Sequence, residues 1–377
     1  MSAHPALSVL SEQFADIITM RDEIRFTQLF DTLAAHPSFD DVVGGLFDHS
    51  APAQKHLGDN TAMAAICTLA ANVFSVPECA KAAVTTLNNI AQQQQLENGF
   101  YSDSANYNDT DIEVSDLITL LDPAQWLALK TRFRLPDDGR FHWHTLTRHI
   151  AVQQLADKTG LHPKQAPWAL EGGIQLMQHL IKQPSVTPSY SISNNILFCY
   201  GLLLSATYLN QSQHADIALS LMTRINEEIT EQHRKLWQLL LVQRLAYHWD
   251  DSDFNALMQM EHDSDSSFVV NALMVLCQNQ QAAQRSSITS SPLKHELLFV
   301  NLLNQCERIV LIEGPAYEAR EWLQLSNNHY NPTTWIFARP AEQPCRARML
   351  DKNANLKSID SIDELLKLVS AGSGSLP

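Results

Sequence analysis

Asp41-Val42-Val43-Gly44-Gly45-Leu46-Phe47-Asp48-His49-Ser50, then Gly58-Asp59-Asn60-Thr61-Ala62-Met63, then Asn98-Gly99-Phe100-Tyr101-Ser102-Asp103 are the pieces whose reading decides the fold. Between the second and the third lies a helix pair. Met63, Ile66, Cys67, Ala70, Val73 and Phe74 recur at helical spacing, with Asp59 or Asn60 placed as the cap. Ser75-Val76-Pro77-Glu78 then has the form of a capping box with proline in the first turn. Ala80, Ala83, Val84, Leu87, Ile90 and Ala91 make the inward face of the helix that it opens, and Asn98-Gly99 reads as a left-handed stop. A polar loop, two antiparallel helices and a second polar loop form a unit. Repeated, such units build an α/α toroid with polar residues at one mouth.

Outward from this stretch the helical pattern persists. Two amphipathic stripes precede it, Leu7 to Ile18 and Phe26 to Leu33, the second stopped by His36-Pro37. Residues 102–112 read as a polar loop. Asp122-Pro123-Ala124-Gln125 starts a helix running to about Arg134, and Pro136-Asp137-Asp138-Gly139 is a turn. Helical patterns cover 146–159, 165–182, 192–210, 213–231, 233–248, 251–260, 268–278 and 292–306. Around a dozen helices on short loops is the count that an (α/α)6 toroid needs, and an α-solenoid reads similarly. After residue 307 the period changes. Arg308-Ile309-Val310-Leu311-Ile312 and Thr333-Thr334-Trp335-Ile336-Phe337 read as strands around a helix at 316–326, with a last helix near 360–370. The expectation is a mainly α chain: an (α/α)6 barrel over 1–306 and a small α/β element over 307–377, packed on the barrel and ending in a flexible tail.

Composition narrows the function classes. Lys+Arg 26 against Asp+Glu 41 gives a formal charge of −15 over 377 residues, with no basic stripe, so no nucleic-acid partner is expected. The longest apolar stretch, Ile196 to Leu209, is broken by Gly201 and Ser205 and reads as a buried helix rather than a membrane span. The cysteines at 67, 79, 199, 277, 306 and 345 have no tight spacing. They read as free thiols in a reducing compartment, and with no signal-peptide pattern a cytoplasmic protein is expected.

The three opening pieces resemble the motifs of the YyaL / spermatogenesis-associated, thioredoxin-domain-containing family, which joins a thioredoxin-like domain to an (α/α)6 barrel like that of N-acylglucosamine 2-epimerases. Asp41 to Ser50 matches its D-x-x-G-G-G-F-x-R-Y-S, with Leu46 for the third glycine and Asp48-His49 for Arg-Tyr. Gly58 to Met63 matches Y-D-N-A-x-L, and Asn98 to Asp103 matches G-G-F-Y-S-A. Asp138 to Phe141, residues 190–204, Asp265 to Leu273 (with Asn271 as the surviving asparagine) and the stretch from Ile309 to Leu366 follow in the family's order. The resemblance covers roughly residues 28–370 and includes no thioredoxin-like domain. The family's D-A-D aspartates stand as Ala105-Asn106, its D-D-K as Ser191-Ile192-Ser193 and its W-N as Cys199-Tyr200. Its P-H-F-E-K-M stretch is missing between Ser50 and Gly58.

With so many charged positions lost, the resemblance implies a non-catalytic binding or assembly subunit, taking a protein partner or a small carbohydrate-like ligand. The alternative is a carbohydrate-active epimerase or isomerase. For that reading the acid/base candidates are His49, Asp59, Asp103 and His248, and the substrate-binding candidates are Asn60, Phe100, Tyr101, Trp143, Tyr200 and Asn271. Enzyme action requires the acid/base groups to converge on one pocket. His142, His144 and His149 have the spacing closest to a metal site but lack a companion cysteine or carboxylate, so a polar loop around a packed Trp143 is the expectation. No metal and no cofactor are expected. His248-Trp249-Asp250-Asp251 reads first as a helix end followed by a new cap.

Overall fold

The computed structural model describes residues 5–108, 111–260, 268–278, 294–327, 331 and 333–370. The chain opens with α1 (Pro5–Met20) and α2 (Glu23–Ala34), then β1 (Gln54–His56), α3 (Leu57–Phe74) and α4 (Pro77–Gln93). Next come β2 (Ser104–Asn106), β3 (Asp111–Glu113), α5 (Val114–Leu120), α6 (Pro123–Phe133), β4 (Arg140–His142), α7 (Val152–Thr159), α8 (Gln165–Leu180) and β5 (Ser185–Val186). The second half holds α9 (Ile192–Tyr208), α10 (Ser212–Glu228), α11 (Arg234–Tyr247), α12 (Asp251–Gln259), α13 (Phe268–Gln278) and α14 (Lys294–Asn304). It closes with β6 (Arg308–Gly314), α15 (Ala316–Asn327), β7 (Thr334–Pro340), β8 (Arg346–Asp351), β9 (Leu356–Ile359) and α16 (Ile362–Ser370). The protein is mostly helical, with a small sheet near its C-terminal side.

Three helices are apolar nearly all round and are therefore interior. Every residue of α3 from Leu57 to Ala70 is buried, as is every residue of α9 from Asn195 to Ala206, and α11 is buried along most of Leu236 to Ala246. Helices α4 and α10 are apolar on one face only, and they return antiparallel against α3 and α9. Local bonds fix the directions. Asp103 accepts from Leu57 N–H through its carbonyl and from Ser191 N–H through its carboxylate, so the N-terminal ends of α3 and α9 lie together. Glu228, at the end of α10, meets Tyr190 just before α9, and Gln243 late in α11 meets Thr207 late in α9. Helices α3, α9 and α11 thus run parallel, and one end of the body carries the loops 38–56, 94–104 and 185–191. Helix α1 packs on α3 and α14, and α14 packs on α11.

A second apolar cluster lies beside this body. Val42, Val43, Phe47, Tyr107 and Trp143 join the inner faces of α5 to α8. The C-terminal sheet has the order β7-β6-β8-β9, with β6 parallel to β7 and the other pairs antiparallel. Ile309, Leu311, Trp335, Phe337 and Leu350 face the helical core, while Val310, Ile312, Ile336 and Met349 face α15 and α16. Both faces are covered, and so β6 reads as one continuous apolar run.

The structure corrects several local expectations. Helix α3 begins at Leu57 with His56 as its N-cap, which puts Asp59 and Asn60 inside its first turn. Ser75 closes α3 in a left-handed conformation, leaving Val76 as the N-cap of α4 with no side-chain bond and no capping box. Helix α4 stops at Gln93, and Gly99, at φ +83°, serves a later turn. Residues 102–112 contain two short strands, the 146–159 pattern becomes helical only from Val152, and β8 and β9 carried no readable strand pattern. Helix α6 starts at Pro123, as the sequence predicts, with a capping box between Asp122 and Gln125, and the Asp250 cap of α12 forms as expected.

Candidate functional site

The loop that follows α2 folds back onto the N-terminal end of α3. Asp40 drives this. Its Oδ1 accepts from Val42 N–H (2.7 Å) and Val43 N–H (3.1 Å), and its Oδ2 lies 2.5 Å from Lys55 Nζ. Lys55 also donates to the Gly44 carbonyl at 2.5 Å. The two side chains are 1% and 2% exposed, so this is a fully desolvated ion pair. The rings of Phe47, Tyr107 and Trp143 surround the ammonium at 4.7, 5.4 and 6.0 Å, adding quadrupole attraction where water is excluded. Burial pulls the lysine below its ordinary pKa while Asp40 opposes that pull, and burial together with the Asp40 charge pushes the Tyr107 phenol up.

The glycines are what let the loop approach. Gly45 has φ +97°, and a Cβ there would stand 2.0 Å from Asn60 Oδ1. Asn60 uses that approach, accepting from Leu46 N–H at 2.7 Å and donating to the carbonyls of Leu46 and His56. Next to Asp40, Asp41 holds two guanidiniums, Arg132 at 3.0 Å and Arg148 through two of its nitrogens. Further along, Asp48 accepts from Ser50 N–H and hydroxyl on one oxygen and faces His56 Nε2 at 2.6 Å on the other. Burial pushes the Asp48 carboxyl up, but the bonds from Ser50 and His56 outweigh it and hold the group below its ordinary pKa. An imidazole oriented by a carboxylate is the arrangement of a general base and its positioning partner.

Seven of the sequence candidates gather at the loop end. Asp59 and Asn60 are buried in the first turn of α3. The Asp103 carboxylate is bonded to Ser191 N–H at 3.1 Å and the Asn194 amide at 2.7 Å. Tyr101 is clasped through its backbone by the Asn195 side chain, its phenol pushed up to about 12 by burial, and Phe100 stacks on Tyr190 with centroids 4.5 Å apart. Trp143 lies across the loop, in the cage around Lys55. His49 is exposed at the tip of the loop, its ring 5.5 Å from that of His36.

The others are elsewhere. Tyr200 is in the core against Phe299 with ring centroids 4.8 Å apart, and Asn271 is half-buried on α13. His248 closes the C-terminal end of α11, where burial, Arg244 and Arg320 lower its pKa. Asn195 marks the Asp103 end of α9 and Thr207 marks the level of Gln243, so His248 is at least about 18 Å along the helices from Asp103, twelve residues at 1.5 Å each. The four acid/base candidates therefore do not converge. Sequence reading missed Asp40, Lys55, Asp48 and His56. Asp40 and Lys55 are fifteen residues apart with no local periodicity to pair them.

Among the described residues no group of three or more His, Cys, Asp or Glu is placed to hold a metal ion. His142 instead pairs with Asp111, and the His144 ring lies against Phe47. All six cysteines are free, and among the described residues no helix is long and apolar enough to cross a membrane. No family model and no curated relative matches the chain. Among solved structures, a crystal structure of D-mannose isomerase aligns at 13% identity over 98% of this chain and 98% of that one, with a TM-score of 0.28. An overlap that loose assigns neither fold nor chemistry.

Proposed function

We propose that the chain is an (α/α)6-type toroid with a C-terminal α/β element, working as a binding or assembly subunit without catalysis of its own. One observation carries this reading: the polar groups that the motifs bring to the loop end already hold that end together. Asp103 is committed to the start of α9, Asn60 to Leu46 and His56, and Asp41 to Arg132 and Arg148. His248 stands at the opposite end of the helices. The partner is another protein or a small carbohydrate-like molecule. The −15 charge disfavours nucleic acid, and free cysteines fit a reducing, cytoplasmic setting.

The test is proton exchange. Sugar epimerases and isomerases that work through an enediol remove the proton from a carbon beside a carbonyl, and in D2O that position takes up deuterium. Incubation with aldoses, ketoses and N-acylhexosamines, followed by proton NMR, is expected to show exchange no faster than without protein. Catalysed exchange overturns the reading. It would favour the second reading, a carbohydrate epimerase or isomerase, which rests on the Asp48–His56 pair, and His56→Gln would then abolish the exchange.

A further inference from the structure

Asp111 and His142 lie opposite each other in the β3–β4 pairing, and His142 Nδ1 meets the Asp111 carboxylate. A neutral imidazole held in this way carries its proton on Nδ1 and keeps the Nε2 lone pair. The chain then makes a single tight turn, Trp143–Thr145, which brings the His144 ring to 5.5 Å from that of His142, centroid to centroid. That turn is fixed on both sides. Trp143 is 1% exposed and packs on Phe47 and Tyr107, and the Thr145 hydroxyl donates to the His142 carbonyl at 2.8 Å. His144 stands against the Phe47 ring, and its Nδ1 is buried without a hydrogen-bond partner, so Nε2 is the nitrogen with which it can reach a ligand. Burial and the neighbouring His142 lower the pKa of His144 against the pull of Asp111 and Asp40, which favours the neutral ring that a metal requires.

We propose that His142 and His144 form a two-histidine site for a zinc-class divalent metal ion, each ligating through Nε2, with Asp111 as the positioning residue behind His142. Imidazole nitrogens bind zinc at about 2.0–2.1 Å, which puts each ring centre about 3.2 Å from the ion. Two rings on one ion then stand about 5.2 Å apart at a tetrahedral angle and about 6.4 Å apart at most. The observed 5.5 Å falls between these limits. A carboxylate on the far nitrogen is the common companion of a metal-bound histidine, because it fixes the ring and makes the ligating nitrogen more basic. The sequence shows the H-x-H spacing without such a companion; the fold supplies it from thirty-one residues away. Arg140, two residues before His142, is held by Glu113, and the −15 charge of the chain favours cations. Imidazoles suit zinc, copper and nickel, whereas magnesium and calcium take oxygen ligands. Two protein ligands leave the other positions to water, an open site rather than the closed set of a structural zinc.

The experiment is a calorimetric titration of the full chain, purified without a histidine tag, with zinc ion, and with magnesium as the competitor. NMR of the histidine ring nitrogens reads which atoms are ligated. A saturable zinc-binding event that magnesium does not displace is expected, shifting Nε2 rather than Nδ1 of both rings. Its affinity should fall at least about tenfold in His142→Gln and in His144→Gln, and about 10–100-fold in Asp111→Asn, where the His142 tautomer also changes. His36 and His49 serve as the internal control: their rings stand at the same 5.5 Å, but His36 Nδ1 bonds to the Ser38 hydroxyl rather than to a carboxylate. His49→Gln should therefore leave zinc binding unchanged. Asp111 and His142 are exposed, so their variants should melt like the parent without zinc, which separates a lost ligand from a lost fold even where His144→Gln unfolds. No saturable zinc binding overturns the proposal, as does binding that survives His142→Gln or that is lost in His49→Gln instead. Unchanged affinity in Asp111→Asn overturns the positioning role.

Discussion

The two ends of the parallel helices α3, α9 and α11 handle charge in opposite ways. At the loop end, ions are buried and closely bonded: Lys55 and Asp40 are 1% and 2% exposed at 2.5 Å, and Arg132 meets Asp41 at 3.0 Å with 7% and 15% exposure. At the far end, where the α11–α12 turn meets the sheet, Arg348 and Glu313 pair closely at 2.8 Å but the charges around them are looser. Arg244 is 3.6 Å from Asp253, and Arg339 is 3.9 Å from Glu313 and 4.0 Å from Asp251. The loop end has little regular structure of its own, so its long turns are fixed by desolvated polar bonds. At the far end, apolar contacts between the sheet and the helical core do most of the fixing, and several of the ion pairs beside them are longer than hydrogen bonds. Removing a charge should therefore cost much at one end and little at the other.

The largest effect is expected from Lys55→Met, which strands the Asp40 carboxylate in an apolar cage. Breaking a buried pair by removing one partner typically costs about 3–5 kcal/mol, read as a fall in the urea midpoint. The double variant Asp40→Leu/Lys55→Met buries no charge and should recover much of that loss. If Lys55→Met alone is nearly neutral, the loop end is not held by its ions and the contrast collapses.

The far end holds a buried histidine that sharpens the comparison. His214 is 1% exposed, between Ser205 (2.9 Å) and Asn88 (3.0 Å), and burial lowers its pKa to about 4. Asn88 Oδ1 accepts from Nε2–H, so Nδ1 takes the Ser205 hydroxyl and the ring is neutral in the fold. Because the folded pKa lies below the unfolded value near 6.5, the unfolded chain binds the proton more tightly. The contribution from this group is complete above about pH 6.5 and drains away as the pH falls toward 4, by roughly 3 kcal/mol in all. Denaturation midpoints followed between pH 7 and pH 4 should lose that component in His214→Gln. An unchanged slope would remove His214 as the source.

Gly45→Ala comes next. Its φ of +97° and the 2.0 Å approach to Asn60 Oδ1 exclude a side chain without movement, and strain of this kind costs about 1–3 kcal/mol. A variant as stable as the parent would mean that the loop moves freely off Asn60. The same glycine shows what was legible in the sequence. Gly44-Gly45 marked a turn, helical spacing marked helices at 63–74, 192–210 and 233–248, and the apolar run Ile196 to Leu209 marked an interior one, because these signals are local. The site was half legible. Asp59, Asn60, Tyr101 and Asp103 were found at the loop end because motif order placed them there. Lys55 was not, because its partners Asp40, Tyr107 and Trp143 are fifteen to eighty-eight residues away and meet it only in the fold. Asp59 was misread as a cap because a capping residue and a first-turn acid look alike in sequence; only the helix start at Leu57 separates them.

The smallest effect is expected from Arg339→Gln. Its guanidinium side chain is 34% exposed, lies 5.9 Å from the Trp249 ring, and meets its carboxylates only at 3.9 and 4.0 Å, beyond hydrogen-bond range. Pairs of this kind contribute about 0–1 kcal/mol and are screened by salt. Glu313 keeps its better partner, Arg348 at 2.8 Å, whatever Arg339 becomes. The stability difference between Arg339→Gln and the parent should therefore fall within about 1 kcal/mol at low salt and vanish at high salt, whereas the loss in Lys55→Met should barely respond, because its site excludes ions along with water. A salt-insensitive loss of several kcal/mol in Arg339→Gln would mean that the sheet is held by its charges rather than by Ile309, Leu311, Trp335 and Phe337. The two ends would then be built alike.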